Sequence, residues 1–261
     1  MGSTNYFTAK ESIVRTIWGK SDTVLFIFAG AAAEFALNKA VDWLYFTGKL
    51  PADPIGRLFS TVGYAQQIVF AKTEDAHKAI DRITAIHSSV EKSRGAVIPD
   101  WAYRDVLYML IHYSIASFEL LQRKLSLAEK EEVFDVFYRL GCRMNLTNLP
   151  ATYAQWIPDR DAHLQQDLHK GELTNHLFKQ YQKHLGAARY RLLLETQKML
   201  VPHTVSFLLQ YKKSSMVQLI LPLYKISRTI KMDKLIKSIL LPPAYKERIN
   251  ALDWKELPSY Q

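Results

Sequence analysis

The segment VLFIFAGAAAEFAL, residues 24–37, is the longest apolar run in this chain of 261 residues. Glu34 interrupts the run, which is shorter than the roughly 20 residues that a membrane-spanning helix needs. Gly30 and the alanines that follow it would let a second helix pack closely against this one. We therefore interpret the segment as a helix buried in the core, in preference to a membrane anchor.

The rest of the chain also carries signals of helices. Ser126 and Glu129, for example, form a capping box at the start of a predicted helix. Period-two alternation and Asn-Gly or Asp-Gly turns, which indicate strands and hairpins, are scarce. The sequence predicts an all-α fold with a single multi-helix domain over residues 21–241, an N-terminal extension (1–20) and a C-terminal tail (242–261).

The composition is that of a globular protein. Hydrophobic residues make up 48% and charged residues 23% of the chain, which is enough for a core and unlike a disordered protein. Cys142 is the only cysteine. This excludes an intrachain disulfide and a cysteine-based metal site, and it is typical of a reducing compartment. Because the N-terminus lacks the charged and apolar regions of a signal peptide, we expect a cytoplasmic protein.

The net charge of +9 would allow nucleic acid, an anionic membrane or an acidic ligand as a partner. The lysine-rich C-terminal region lacks the interleaved aromatic residues of a nucleic-acid-binding surface, so we expect no nucleic-acid partner. Two interpretations of this region stay open. It is either a solvated helix face or a surface for peripheral contact with anionic lipid through Lys225, Arg228 and Lys231.

One histidine falls within the apolar stripe of the helix predicted after Thr73. The stripe has the spacing i, i+4, i+7, i+11 and i+14 of one helical face, and its members are Ala76, Ile80, Ile83, His87 and Val90. A buried imidazole must satisfy both ring nitrogens. A metal or haem iron would do so, and so would a backbone carbonyl together with a water molecule.

A second group of polar residues shares one face of the preceding helix. Its members are Arg57, Ser60, Thr61 and Tyr64, at spacings i, i+3, i+4 and i+7. An arginine beside two hydroxyls and a phenol suits a carboxylate, a phosphate or a bound oxygen ligand. The alternative is an arginine in a salt bridge with Asp53 or Asp42.

The remaining histidines divide into two kinds. His112 lies in the apolar stretch 110–118, either as a functional residue or as a core histidine bonded to Glu119. The others fall in polar sequence, and the stretch 159–171 is predicted to be a loop or an exposed helix. Their spacings do not match one helical face, so we predict that they lie at the surface: His163, His169, His176 and His184.

Four short motifs occur in a characteristic order. They are DPIGRLFSTVGY (residues 53–64), ITAIHSSV (83–90), LYMLIHYSIASF (107–118) and LPAT (149–152). Together they resemble the MpaB-type oxygenase family, which includes the catalytic domain of the latex-clearing rubber oxygenase. The resemblance covers roughly residues 20 to 200.

The resemblance implies a globin-like helical core that encloses a pocket for haem b. It implies that His87 is the axial ligand of the iron and that Arg57 and Thr61 lie near the haem as catalytic residues. Tyr64 and His112 are further candidates for contact with the cofactor. The implied reaction is the oxidative cleavage of a carbon–carbon double bond in an isoprenoid chain by dioxygen.

The sequence departs from the family pattern at two places. Ser60 stands where the family often has arginine or lysine, and serine is a poor iron ligand. Tyr108-Met109-Leu110-Ile111 replaces the usual Trp-Val before the second histidine. The acidic residue that would act as a base has two candidates, Asp42 and Glu34.

We therefore expect a haem-dependent oxygenase that acts on a small apolar, isoprenoid-like substrate. Aromatic residues would suit the walls of its pocket, and the candidates are Phe35, Trp43, Phe59 and Phe118. The alternatives are a non-catalytic haem- or lipid-binding helical protein and a membrane-peripheral interaction protein.

Overall fold

Twelve helices form the regular structure of residues 5–212, the part of the chain that this computed structural model describes. In chain order they are α1 (Ile13–Trp18), α2 (Ser21–Phe35), α3 (Val41–Phe46), α4 (Lys49–Ala52), α5 (Pro54–Phe70), α6 (Thr73–Arg94), α7 (Asp100–Leu121), α8 (Leu127–Arg143), α9 (Tyr153–Gln166), α10 (Glu172–Leu185), α11 (Ala187–Leu200) and α12 (His203–Leu208). Between residues 5 and 212 there is no β-strand, only two isolated bridges, Tyr6 with Lys72 and Asn38 with Leu168. The predicted all-α class is confirmed for these residues.

Helix α2, which contains most of the apolar run, lies at the centre of the assembly. It packs most extensively against α7 and also contacts α1 and α11. Gly30 makes the close approach to α7 possible, because a Cβ atom there would lie 2.2 Å from Cδ1 of Tyr113. The prediction of a buried core helix is confirmed. No helix within the described range is long and apolar enough to cross a bilayer.

Helix α1 belongs to the core, although it lies within the predicted N-terminal extension. Val14, Ile17 and Trp18 are fully buried, and Trp18 Nε1 donates a hydrogen bond to Ser114 Oγ at 3.1 Å. The helical body therefore begins before residue 21, and the prediction missed this because a six-residue helix is too short to show a period. The predicted boundary at residue 242 and the basic residues Lys225, Arg228 and Lys231 lie outside the described residues.

Helices α5 and α6 pack against each other and position His87. Asp53 caps the start of α5, because its side chain accepts a hydrogen bond from Gly56 N at 2.8 Å, and Gly95, with a φ of +69°, caps the end of α6. The predicted stripe of α6 faces inward, but its burial decreases along the helix. Ala76 and Ile80 are buried, whereas Ile83, His87 and Val90 are half-buried.

Helix α9 corrects the prediction of a loop or exposed helix over residues 159–171. It starts after Thr152, whose hydroxyl accepts from Gln155 N at 3.2 Å, and it buries Trp156, Arg160 and His163. The polar character of the segment suggested exposure, but these side chains face α2 and α7. Partners that are distant in sequence make this burial possible.

Candidate functional site

The imidazole of His87 is half-buried on α6. Its Nδ1 is buried and has no hydrogen-bond partner among the described residues. Burial and the positive charge of Arg57 lower the pKa of His87, while Glu91 acts in the opposite direction. The rings of Tyr103 and His87 pack edge to face, with 5.1 Å between their centroids. The imidazole is therefore neutral at physiological pH, and its buried Nδ1 is left unsatisfied within the described residues.

A cavity of about 410 Å³ lies beside His87. Its walls come from the end of α6, the loop 95–99, the start of α7 and the turn after α8, and its apolar members are Val97, Ile98, Pro99, Met144 and Leu146. Glu91 fixes this wall, because its Oε1 accepts hydrogen bonds from Ile98 N at 2.9 Å and from the Tyr103 hydroxyl at 3.2 Å. The cavity is thus bounded by a loop that a carboxylate of α6 holds in place.

Sequence reasoning missed Glu91 and Tyr103 as wall residues. Glu91 is one turn after His87 on the same face of α6, so helical spacing could have found it. The predicted aromatic residues line neither this cavity nor a second one of about 490 Å³ beside α10 and α11. Phe59 and Phe118 are buried in the core, Phe35 packs against it, and Trp43 stacks under the Arg94 guanidinium at 4.0 Å.

Arg57, Thr61 and Tyr64 lie together on α5, as predicted, and Arg57 is near enough to His87 to lower its pKa. Arg57 Nη1 donates to Thr61 Oγ1 at 3.5 Å. Burial lowers the pKa of Arg57, and Tyr64 acts in the opposite direction. Ser60 does not join this group, because its side chain is exposed and donates to the carbonyl of Gly56 at 3.1 Å.

The salt bridge considered as an alternative for Arg57 is absent. Asp42 pairs with Arg94 at 2.7 Å, and Asp53 accepts from the backbone at the start of α5. Within residues 5–212 no carboxylate lies within 4.0 Å of the Arg57 guanidinium. A half-buried cation without an anionic partner is suited to binding an anionic group.

His112 lies in a different cluster from His87, on α7 beside Tyr113, with 4.9 Å between the ring centroids. Burial lowers the pKa of His112 to about 4, and Arg160 contributes, while Glu34 and a backbone hydrogen bond with Leu200 act in the opposite direction. Its Nε2 is buried and has no partner in the described part of the chain.

The proposed partner of His112, Glu119, is engaged elsewhere. Its carboxylate binds Lys124 and Lys130 and accepts from Leu125 N. Glu119 is two turns after His112, but its side chain points to the end of α7. The prediction of a His112–Glu119 hydrogen bond is therefore wrong.

A buried ion pair lies beside His112. Arg160 Nη2 is 2.5 Å from Oε2 of Glu34, and the same oxygen accepts a hydrogen bond from the Tyr113 hydroxyl at 2.9 Å. The exposed fraction of the Arg160 side chain is 4% and that of Glu34 is 0%. Both candidates for a base, Glu34 and Asp42, are thus ion-paired to arginines in this structure.

Further along α9, His163 is buried between two carboxylates. Its Nδ1 is 2.5 Å from Asp105 Oδ1 and 3.2 Å from Asp167 Oδ2. The prediction that His163 lies at the surface is wrong, whereas His169 and His176 are exposed as predicted and His184 is half-buried. The spacing Trp156, Arg160, His163, Asp167 is that of one helical face, which was the available signal.

Comparison with known protein families gives one match, which covers most of the chain. Residues 18–229 match a family described as ER-bound oxygenase mpaB/B'/Rubber oxygenase, catalytic domain. The matched region includes every residue of the His87 site and of the buried clusters on α7 and α9. Searches among curated proteins and solved structures found no match for the chain.

Proposed function

Because the chain belongs to the family of ER-bound mpaB/B' oxygenases and rubber oxygenase catalytic domains, we propose that it is a haem-dependent oxygenase. In this proposal His87 would hold the iron of haem b, and the bound haem would supply the dioxygen chemistry for an apolar, isoprenoid-like substrate. The observation that carries the proposal is the neutral imidazole of His87, whose buried Nδ1 has no partner within residues 5–212 and which borders a cavity of about 410 Å³.

The residues around His87 fit a haem group in three respects. An iron ligand must be a neutral imidazole, and burial together with Arg57 lowers the pKa of His87. A buried nitrogen without a partner is costly, and coordination to iron would remove that cost. Haem b also carries two propionate carboxylates, for which the unpaired guanidinium of Arg57 is a suitable partner. An enclosed haem pocket within a globin-like core is part of this proposal.

Bound haem would supply the one-electron and dioxygen chemistry, and the protein would supply orientation and water exclusion. Burial raises the pKa of Tyr103, as does Glu91, so the phenol stays protonated and keeps donating to Glu91. This hydrogen bond holds the start of α7 against α6. The wall of the cavity is thereby fixed before any substrate enters.

The substrate class follows from the cavity and from the family. Val97, Ile98 and Pro99 on one side and Met144 and Leu146 on the other present hydrocarbon surface, which favours an apolar molecule. The two hydroxyls of Thr84 and Ser88 also line the cavity. An isoprenoid chain with a cleavable double bond is the substrate that the family name and this lining support together.

The visible absorption spectrum of protein reconstituted with haem tests the proposal. We expect a Soret band in the wild-type protein and in His169→Ala, an exposed histidine that serves as a matched control. We expect His87→Ala to lose the band. Haem that fails to bind the wild-type protein, or an unchanged spectrum in His87→Ala, would refute the role of His87.

Catalysis is tested separately from haem binding. The haem-loaded protein should consume dioxygen in the presence of a polyisoprenoid and release carbonyl products. Haem binding without dioxygen consumption on any polyene would favour the non-catalytic carrier instead.

A further inference from the structure

Three side chains at the junction of α7 and α9 direct ligand atoms toward one point. Asp105 projects from α7, and His163 and Asp167 are one turn apart at the end of α9. One ligand atom from each lies within 4.8 Å of the other two. We propose that Asp105, His163 and Asp167 bind a divalent transition-metal ion that joins α7 to the end of α9.

The site is built around a carboxylate with a fixed orientation. Asn38 Nδ2 donates to Asp105 Oδ2 at 2.5 Å, which leaves Oδ1 to face His163. A flip of the Asn38 side-chain amide would break a hydrogen bond, because its Oδ1 accepts from Ala40 N at 2.9 Å. An outer partner that orients a ligating carboxylate is typical of metal sites.

Backbone hydrogen bonds also hold Asn38 close to Asp167. Lys39 N donates to the carbonyl of Asp167 at 2.9 Å, and His169 N donates to the carbonyl of Leu37 at 2.8 Å. These two bonds flank the bridge between Asn38 and Leu168. The segment after α2 therefore holds the backbone of Asp167 beside Asn38.

Hydrogen bonds from His163 do not satisfy both of the carboxylates that face it. The Nδ1 of His163 can carry one proton, yet two carboxylate oxygens face it at 2.5 and 3.2 Å. The neighbouring cations Lys39 and Arg104 have other bonding partners, namely the carbonyl of Gln166 and the carboxylate of Asp100. A divalent cation would neutralise both carboxylates at once.

The donor set and its spacing select the class of ion. One imidazole and two carboxylates suit zinc, manganese, iron(II) or cobalt(II) better than calcium, which prefers six to eight oxygen ligands. Bonds of about 2.0–2.2 Å place neighbouring donors roughly 3.0–3.5 Å apart. The distance from His163 to Asp167 already falls in this range, and that from His163 to Asp105 needs to open by about 0.5 Å. Water would complete the coordination.

Cobalt(II) titration of chelator-treated protein tests the site, because the bound ion gives visible absorption bands. We expect one ion per chain in the wild-type protein and at least a tenfold loss of affinity in Asp167→Asn. Asp161→Asn is the matched control, since Asp161 is an exposed carboxylate on the same helix. Its affinity should equal that of the wild-type protein.

Asp167→Asn keeps the size of the side chain at a position of 14% exposure, so it should fold, and circular dichroism checks this. Should it unfold, Asn38→Ser provides a second variant. It removes the side-chain amide that orients the Asp105 carboxylate, and we expect it to lower the affinity for the ion by about 10- to 100-fold. His87→Ala should retain the ion, which separates this site from the haem proposal. No stoichiometric binding by the wild-type protein, or equal affinity in Asp167→Asn, would overturn the assignment and leave a hydrogen-bonded triad.

Discussion

Removal of Arg160 should destabilise the protein more than the loss of any exposed ion pair. The Glu34 carboxylate that it neutralises has no exposure to solvent, and the ion pair lies between α2 and α9. Burial acts to lower the pKa of Arg160, but Glu34, Tyr113 and Asp105 act together in the opposite direction and the pKa is raised. The buried guanidinium is therefore charged, and it faces the carboxylate of Glu34.

The magnitude follows from what would remain around Glu34. In Arg160→Met, its Oε2 keeps only the hydrogen bond from Tyr113, and Oε1 already lacks a partner within the described structure. Breaking a buried ion pair in this way costs about 3–5 kcal/mol. For a protein of this size, that corresponds to a fall in Tm of roughly 6–20 °C.

Urea and thermal unfolding of four proteins would measure the effect. These are the wild type, Arg160→Met, Arg160→Met with Glu34→Leu, and Lys78→Met, which breaks an exposed pair with Asp75. The double variant should recover most of the lost stability, because apolar replacements of buried pairs are close to neutral. Lys78→Met should change little. A loss below about 1 kcal/mol in Arg160→Met would refute the reasoning, since that is the range of surface pairs.

Three further outcomes are expected. Gly30→Ala should lower the free energy of unfolding in urea by about 1–3 kcal/mol, since its Cβ would lie 2.2 Å from the ring of Tyr113. Gly63→Ala is the control and should be neutral or stabilising, because nothing lies within 4 Å of its Cβ. Equal effects of the two substitutions would contradict the packing argument. Because burial lowers the pKa of His112 to about 4, against 6.5 for a solvated histidine in the unfolded chain, folding stability should fall as the pH drops from 6.5 to 4, by up to about 3 kcal/mol. His112→Gln should flatten that part of the pH–stability curve, and an unchanged curve would exclude His112 as its cause. Tyr103→Phe should release haem faster than the wild type in a transfer assay to apomyoglobin, because the wall of the cavity loses a hydrogen bond; an equal release rate would show that this bond does not support the site.

The parts of the fold that the sequence predicts well are those that local patterns determine. The apolar run of α2 became a core helix, and Ser126 and Glu129 form the predicted capping box. The stripe through His87 faces inward, because a period of 3.6 residues places those side chains on one face whatever they pack against. The position of His87 in an inward stripe needs no knowledge of the rest of the chain.

The parts that the sequence did not predict depend on pairs that are distant along the chain. Arg160 and His163 look like surface residues, because an isolated charge or imidazole is costly to bury. Their burial is possible only because Glu34 and Asp105 meet them from α2 and α7. No local pattern states which acidic residue will meet which basic one, so the two clusters became visible only in three dimensions.

The His87 site and the Glu34–Arg160 ion pair differ in how deeply their side chains are buried. Along α6 only Ala76, Ala79 and Ile80 are buried, and no residue in the half of the helix that carries His87 is fully buried. Polar bonds from Glu91 and Arg94 hold that half in place. Regions with few buried apolar contacts open at low free energy, which suits the entry of a large ligand. The extensive contact between α2 and α7, together with the buried ion pair on α9, provides stability that the C-terminal half of α6 does not.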